Sequence, residues 1–507
     1  MPLRRGPLRA KKEEKIMSES TVSKGRFYTR PWFLIVVVLG AALVTFAVTA
    51  LLMNVQDRQQ ESATKFTKVV EIDDTTVDPE IWGQNFPSQY EGYVRTKEFV
   101  PSKHSGVLEK HDVPGDPRKE IPSSKIEEDP RLKVMWNGYA FAVDYRHARG
   151  HEYAKIDQEN TLRVKEPFKQ PGACLNCHVS TPALMSELGN GDIDKGFDAM
   201  NKMPFAEAVA KAEHPVACID CHDPETMDLV ITRPALKNGL KALKASEGIK
   251  DYDVNRDATR QEMRSYVCAQ CHVEYYFSGD DKTLTFPWGE GLDLDDTWEY
   301  YKEDGHVDYE HKTTGANILK AQHPEFETWS QGVHAANGVT CADCHMGYQR
   351  EGATKVTNHQ ISTPMRDLNA SCGTCHDTDD GVLEERINTI QDRFIESRDR
   401  AMDALVDLVG DIEGALKDKT PDSAIELARE YQNKASFYLD YTYSENSYGF
   451  HAPDYSQRLV SQSLDAARKG QLALAGKTAE ELEPSEVTTQ NLAHSVRQEG
   501  AQSSDEK

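Results

Sequence analysis

The sequence predicts a mainly α protein with little sheet, in which side chains alone do not make the core, ending in long C-terminal helices. Three observations predict it. Apolar residues recur at helical spacing through residues 383–474. Hydrophobic residues make up only 38% of the chain, below the roughly 45–50% of an average soluble domain. All ten cysteines fall in one repeated five-residue string, which implies attached groups that fill interior space. At 507 residues the chain allows about three domain-sized units. It lacks the many uncharged, membrane-length runs of a polytopic membrane protein. Lys+Arg number 59 against 83 Asp+Glu, a formal charge of −24, so no nucleic-acid partner is expected.

The chain opens on a basic segment, 1–31, with nine Lys or Arg and three Glu. Phe33–Met53 then runs for 21 residues without a charge. At about 1.5 Å per residue, such a helix spans about 30 Å, one hydrocarbon core. Basic residues before it and Asp57 after it obey the positive-inside rule. Residues 32–53 are therefore expected to anchor the chain in the inner membrane, with 1–31 cytoplasmic and the remainder periplasmic. The alternative is a signal peptide cut near Ala50, although a signal's apolar region usually runs ~7–15 residues. Residues 54–80 read as a polar tether. Setting aside the first segment's charges leaves 50 basic and 80 acidic side chains, a balance of −30. Such a body repels anions at long range, so an anionic substrate needs a locally positive site.

The five strings are Cys174-Leu175-Asn176-Cys177-His178, Cys218-Ile219-Asp220-Cys221-His222, Cys268-Ala269-Gln270-Cys271-His272, Cys341-Ala342-Asp343-Cys344-His345 and Cys372-Gly373-Thr374-Cys375-His376. Cys-x-x-Cys-His is the spacing of covalent c-type haem attachment. Two thiols one helical turn apart bond the haem vinyl groups, and the His turns a ring nitrogen to the iron. Competing readings fail on arithmetic. Zinc sites use such pairs two at a time, and five is odd. A thioredoxin-like centre needs a single motif, and disulfides need no His. The fold class is thus a multihaem cytochrome c fold, with five haems and export to match. Of 17 His, five are in the motifs. The remaining twelve could supply five second axial ligands, so counting alone leaves open whether any iron keeps a free position.

Several stretches, in order, resemble the pentahaem cytochrome c nitrite reductases of the ammonia-forming type. They are Arg149-Gly150-His151, Thr161-Leu162-Arg163, Cys268 through Glu274-Tyr275-Tyr276-Phe277, Lys320-Ala321-Gln322-His323-Pro324-Glu325, Val339 through Met346, and Gly449-Phe450-His451. They cover roughly residues 80–470. The resemblance implies that His151 is the distal ligand of the third-motif haem, His359 of the second, His451 of the fourth and His334 of the fifth. The haem at His178 is then left open, with Arg163, Tyr275 and His323 around it. The resemblance also implies a Ca2+ ion held by the Glu274 and Gln322 side chains and the Tyr275 and Lys320 carbonyls. It further implies a homodimer and a membrane-bound multihaem quinol dehydrogenase as electron donor. One departure stands out: most members carry Lys where this chain has His178, and a minority branch has His.

The residue types suit the chemistry. Nitrite reduction to ammonium takes six electrons and eight protons. His323 can pass protons near neutral pH. Arg163 offers a fork of donors to an anion's oxygens, and Tyr275 can relay a proton. Glu274 and Gln322 are hard oxygen donors, and the ion would add positive potential. Read without the family, the same residues have plainer roles. Tyr275, Tyr276 and Phe277 would pack on a porphyrin edge, Glu274 would be a surface carboxylate, His323 a fifth distal ligand, and Arg163 a propionate partner. The corresponding alternatives in function are a multihaem electron carrier without catalysis, or a related reductase acting mainly on hydroxylamine or sulfite.

Residues 81–377 form the pentahaem catalytic region, with short helices, many Pro/Gly turns and a charged surface excursion at Glu303–Lys312. Residues 378–475 read as long helices that carry a distal ligand and a dimer interface. They include an apolar series from Ile387 to Leu416, a second segment opened by Pro421, and a third from Gln457 to Leu474. The acidic 476–507 reads as a disordered tail.

Overall fold

Periodicity is realised first in the C-terminal third. The computed structural model describes residues 31–62 and 68–483, except 166, 169 and 353, and omits the side chains of 34, 47 and 50–62. Helix α1 (Pro31–Ser62) belongs to a unit separate from the body that starts at Lys68. It takes in the whole uncharged stretch, and most of its described apolar side chains, Ile35 and Phe46 among them, are exposed. Among the described residues no helix is long and apolar enough to cross a membrane. Segment 1–30 lies outside the described residues.

The body is mainly helical. Among the described residues its sheet consists of four separate two-stranded antiparallel pairs, the longest pairing Tyr348–Glu351 with Thr354–Thr357. Helices α2 (Ala154–Asn160), α3 (Leu175–His178), α4 (Arg260–Ala269), α5 (Val333–Ala336) and α6 (Cys341–His345) carry or flank the attachment strings. Three long helices follow: α7 (Asp380–Asp418), α8 (Asp422–Ser444) and α9 (Pro453–Leu474). Asp379 caps the first turn of α7, and the helix stops where Lys419 turns left-handed at φ 57°. Phe394, Leu405, Leu408, Ile412, Ala435, Leu439, Val460 and Ala467 interlock as one core, which also receives Leu132, Met135 and Trp136. A second core lies around Leu175, Val179, Phe197, Leu236 and Trp288. It packs the first haem string against the segment that leads to the third.

Three expectations are corrected. Residues 68–80 are not tether: Val69 and Val70 N–H both donate to Asn85 Oδ1, and Ile72 packs with Trp82, Ala217 and Ile219. The disordered tail cannot begin at 476, because a capped turn at Ala479–Leu482 buries Leu482 in the helical core; residues 484–507 lie outside the described residues. Glu303–Lys312 is only half a surface excursion. Tyr309 and His311 are buried, and Asp308 accepts the Lys320 N–H at 2.8 Å. In each case apolar side chains among the charges find a neighbour distant in sequence.

Candidate active site

Each attachment string closes on a single turn. The His222, His272 and His376 N–H groups donate to the carbonyls of Cys218, Cys268 and Cys372 at 3.0, 3.1 and 2.9 Å. This four-residue return puts both thiols and the imidazole on one side of the turn. A capping box of Thr340 with Asp343 starts the fourth string's turn, α6, and one of Thr259 with Glu262 starts α4, whose last turn enters the third string. All ten thiols are free of disulfides, as thioether attachment requires.

The expected distal histidines are brought to their expected partners. Ring centres lie 6.4 Å apart for His151/His272, 6.1 Å for His222/His359, 6.2 Å for His345/His451 and 6.3 Å for His334/His376. Two imidazoles on opposite sides of one metal, each bonded at about 2 Å, have ring centres about 6 Å apart. Burial pushes His151, His345 and His359 down to about 4. They are therefore neutral, the form that ligates. The residues present fit haem.

His178 has no such partner among the described residues. Burial first, and then the Arg163 charge, push it down to about 4. Its Nδ1 lies 3.3 Å from the Ala154 carbonyl on α2. The three candidate catalytic residues gather about this string. Arg163 donates from Nη1 to the Asp144 carbonyl at 2.7 Å and lies 4.6 Å from the Phe141 ring centre. Tyr275 is held well above its ordinary value by burial, and then by the nearby Cys177 and Cys174 thiols. His323 is held well below its own by burial, then by the His272 and His178 rings. Neighbouring strings also approach one another: the Cys177 thiol lies beside Cys271, and Cys268 beside Cys341. The order of contact is therefore first, third, fourth.

Glu274 is fully buried, which removes the surface-carboxylate reading. Its Oε2 accepts the Gln322 N–H at 2.6 Å, and its Oε1 accepts the Tyr301 hydroxyl at 3.0 Å. Gln322 Nε2 donates to the Lys320 carbonyl at 3.0 Å, so the expected calcium ligands are adjacent. Burial pushes Glu274 well up, and Glu327 up to about 8. Neither forms an ion pair among the described residues, and Glu327 Oε2 has no partner. Lys320 does not serve them: its Nζ lies 2.9 Å from Asp440 and also meets the Ala321 carbonyl. Among the described residues no three His, Cys, Asp or Glu side chains cluster as a metal site; the expected set has two side chains and two carbonyls.

Arg233 was missed. It is 1% exposed, lies 3.0 Å from Asp220 and donates to the Asn176 and Val179 carbonyls. Gln270 Oε1 accepts its backbone N–H at 3.1 Å. Asn176, Asp220 and Gln270 are the residues before the second Cys of the first three strings. Their shared polarity was the available signal.

The sequence profile of the family described as cytochrome c552 matches residues 78–507. The chain belongs to the cytochrome c552 family. A cytochrome c-552 of Bacteroides fragilis is 34% identical over 443 residues, 86% of this chain and 84% of that one. Within the same family likeness, the cytochrome c nitrite reductase subunit NrfA of Nitratidesulfovibrio vulgaris is 35% identical over 463 residues, 85% and 84% of the two chains. The structure of the catalytic subunit of cytochrome c nitrite reductase from Desulfovibrio desulfuricans, described with two calcium sites, superposes with a TM-score of 0.70. It is 29% identical, covering 82% of this chain and 92% of that one. The mainly helical multihaem cytochrome fold of this c552-family chain is therefore shared with a nitrite reductase, and the family implies covalently bound haem c.

Proposed function

We propose that this chain binds five haems c and reduces nitrite to ammonium at the haem of the first string. The observation that carries the reading is an asymmetry. Four string histidines face a second imidazole at 6.1–6.4 Å, whereas His178 has no such partner among the described residues and its string lies near Arg163, Tyr275 and His323. Haem bound there would supply an iron with a free coordination position, and the four bis-His haems would supply electrons. The chain's own residues do the rest. Arg163, fixed through Asp144, binds and orients the anion's oxygens. Tyr275 keeps its proton and donates a hydrogen bond. His323 enters neutral; the arriving anion's charge favours its protonated form, so it can take protons from outside and release them to departing oxygen.

Glu274 and Gln322 with the Tyr275 and Lys320 carbonyls would hold Ca2+. A half-turn of the Gln322 amide presents its oxygen beside the Lys320 carbonyl. Two buried carboxylates without a counter-ion support the assignment, since such charges are costly unless paired or bound to a metal. Location in the periplasm, anchorage through residues 33–53, a homodimer built on α7–α9 and a membrane-bound quinol dehydrogenase as donor complete the reading. Their support is the charge asymmetry of the N-terminus, the uncharged stretch and the family likeness.

The deciding experiment supplies an artificial reductant and measures ammonium formed per nitrite consumed, beside the resting spectrum. One ammonium per nitrite with a high-spin, ligand-accessible haem supports the proposal. Five low-spin haems and no ammonium would reduce the chain to an electron carrier. Faster turnover of hydroxylamine or sulfite would move the substrate.

A further inference from the structure

The proposed iron ligands differ in what faces their second ring nitrogen. Nδ1 of His178, His222, His345 and His359 lies 3.3, 3.0, 3.0 and 2.9 Å from the carbonyls of Ala154, Met227, Ser362 and Thr357. These are uncharged acceptors. His451 Nδ1 instead lies 2.7 Å from Glu445 Oε1, a carboxylate 2% exposed. The ring nitrogen has no aligned acceptor, so the pair stands at hydrogen-bond distance and a rotation of the ring completes the bond. The other carboxylate beside a ligand ring, Glu325, is 3.9 Å from His272 Nδ1, out of hydrogen-bond reach.

The loop after α8 holds this carboxylate in place. Glu445 Oε1 accepts the Ser447 N–H at 3.0 Å, and Oε2 accepts the Ser447 hydroxyl at 2.8 Å. Ser447 Oγ accepts the His451 N–H at 2.9 Å. The chain then reverses through left-handed Tyr448 and Gly449, at φ 54° and 80°. A Cβ on Gly449 would stand 2.8 Å from the Phe394 ring, so glycine is needed there for space as well as for angle. No Lys or Arg pairs with Glu445 among the described residues, and its charge is left facing His451.

We propose that Glu445 is a positioning residue that sets the reduction potential of the haem held by His345 and His451, lowering it by drawing the His451 N–H and placing a buried negative charge behind that ligand. A carboxylate on the outer nitrogen makes an imidazole a stronger donor to its metal, and hydrogen bonding and burial are established means of tuning haem potential. In the order of contact, this haem follows the third, so a lowered potential there makes it pass its electron on. The inference rests on the pentahaem reading above.

The test is a spectroelectrochemical titration of the purified holoprotein beside Glu445→Gln and Glu445→Asp, with haem stoichiometry and the g values of the low-spin EPR signals. In Glu445→Gln one low-spin wave is expected to rise by a tenfold change in its equilibrium, about 59 mV for one electron. One low-spin signal should change with it, and the other waves should stay. Glu445→Asp keeps the charge at a longer reach and should move the same wave by less. If Glu445→Gln fails to load haem, the aspartate variant decides alone. No displaced wave, or all waves displaced together, overturns the proposal. Because potentials are read, a failure to form ammonium would count against the enzymatic reading and leave Glu445 untouched.

Discussion

Burial and neighbouring imidazoles give His323 its character. Burial and the His272 and His178 rings favour its neutral form, whereas burial favours the protonated form of Tyr275. Tyr275→Phe removes one hydroxyl and His323→Ala one ring; each should lower ammonium formation ~10²-fold or more with full haem content. Unchanged rates per haem would take both out of the mechanism. Glu274 and Glu327 set a second expectation. Calcium chelation should lower turnover with the haems in place, and Glu274→Gln should purify without calcium; a calcium-free wild type of full activity contradicts this. Away from the site, hydrogen bonding to Arg118 holds Asp116 well below its ordinary value, against an opposing burial effect. A carboxyl depressed in the folded state stabilises above its unfolded value of about 3.9. That stabilisation is lost as pH falls through the folded value. Asp116→Asn should thus cost about 2 kcal/mol at pH 7 and flatten acid denaturation below about pH 4; denaturant titrations at several pH values check it.

Short turns and long helices place these side chains differently. Gly332 precedes α5, which carries His334, and its φ of −89° is ordinary. What it provides is room: a Cβ would stand 2.1 Å from the His451 carbonyl. The backbones bearing His451 and His334 are thereby in direct contact. Gly332→Ala should cost ~1–3 kcal/mol and disturb the low-spin signals of both pairs; an unaltered spectrum and Tm would contradict it. The attachment turns were legible because Cys-x-x-Cys-His needs only one helical turn. The hairpins were not, since two-to-four-residue strands leave no alternating pattern to read. Leu482 was read as tail because one apolar residue among acids gives no period.

Taken whole, the body joins a helical core to the five Cys-x-x-Cys-His strings. Helix α8 supplies Asp440 to Lys320, and the loop between α8 and α9 supplies Asn446 to Glu325 at 2.7 Å and His451 to the fourth string. Destabilising that core should therefore reach the site. Leu405 is 0% exposed at its centre; Leu405→Ala should cost about 2–5 kcal/mol. Calorimetry should show one lowered transition in which low-spin absorbance falls together with helicity. A separate, unshifted loss of the haem signal would mean that the two parts are not coupled. The acidic balance of −30 is met locally by the Arg163 charge beside the first string.

Local chemistry was readable from the chain alone. Ten thiols and five histidines declare their purpose within five residues of each other, and an apolar stripe declares a helix within two turns. The family likeness named the distal histidines, but residue types could not say which of twelve spare rings faces which string. That depends on chain segments far apart in sequence meeting at about 6 Å. The same holds for Glu445 and Arg233: a carboxylate or guanidinium looks like surface until folding removes its water and leaves it one ionisable partner. Spacing along a chain encodes contacts within a turn, and only packing creates the buried, unscreened charge on which potential, proton affinity and metal affinity depend.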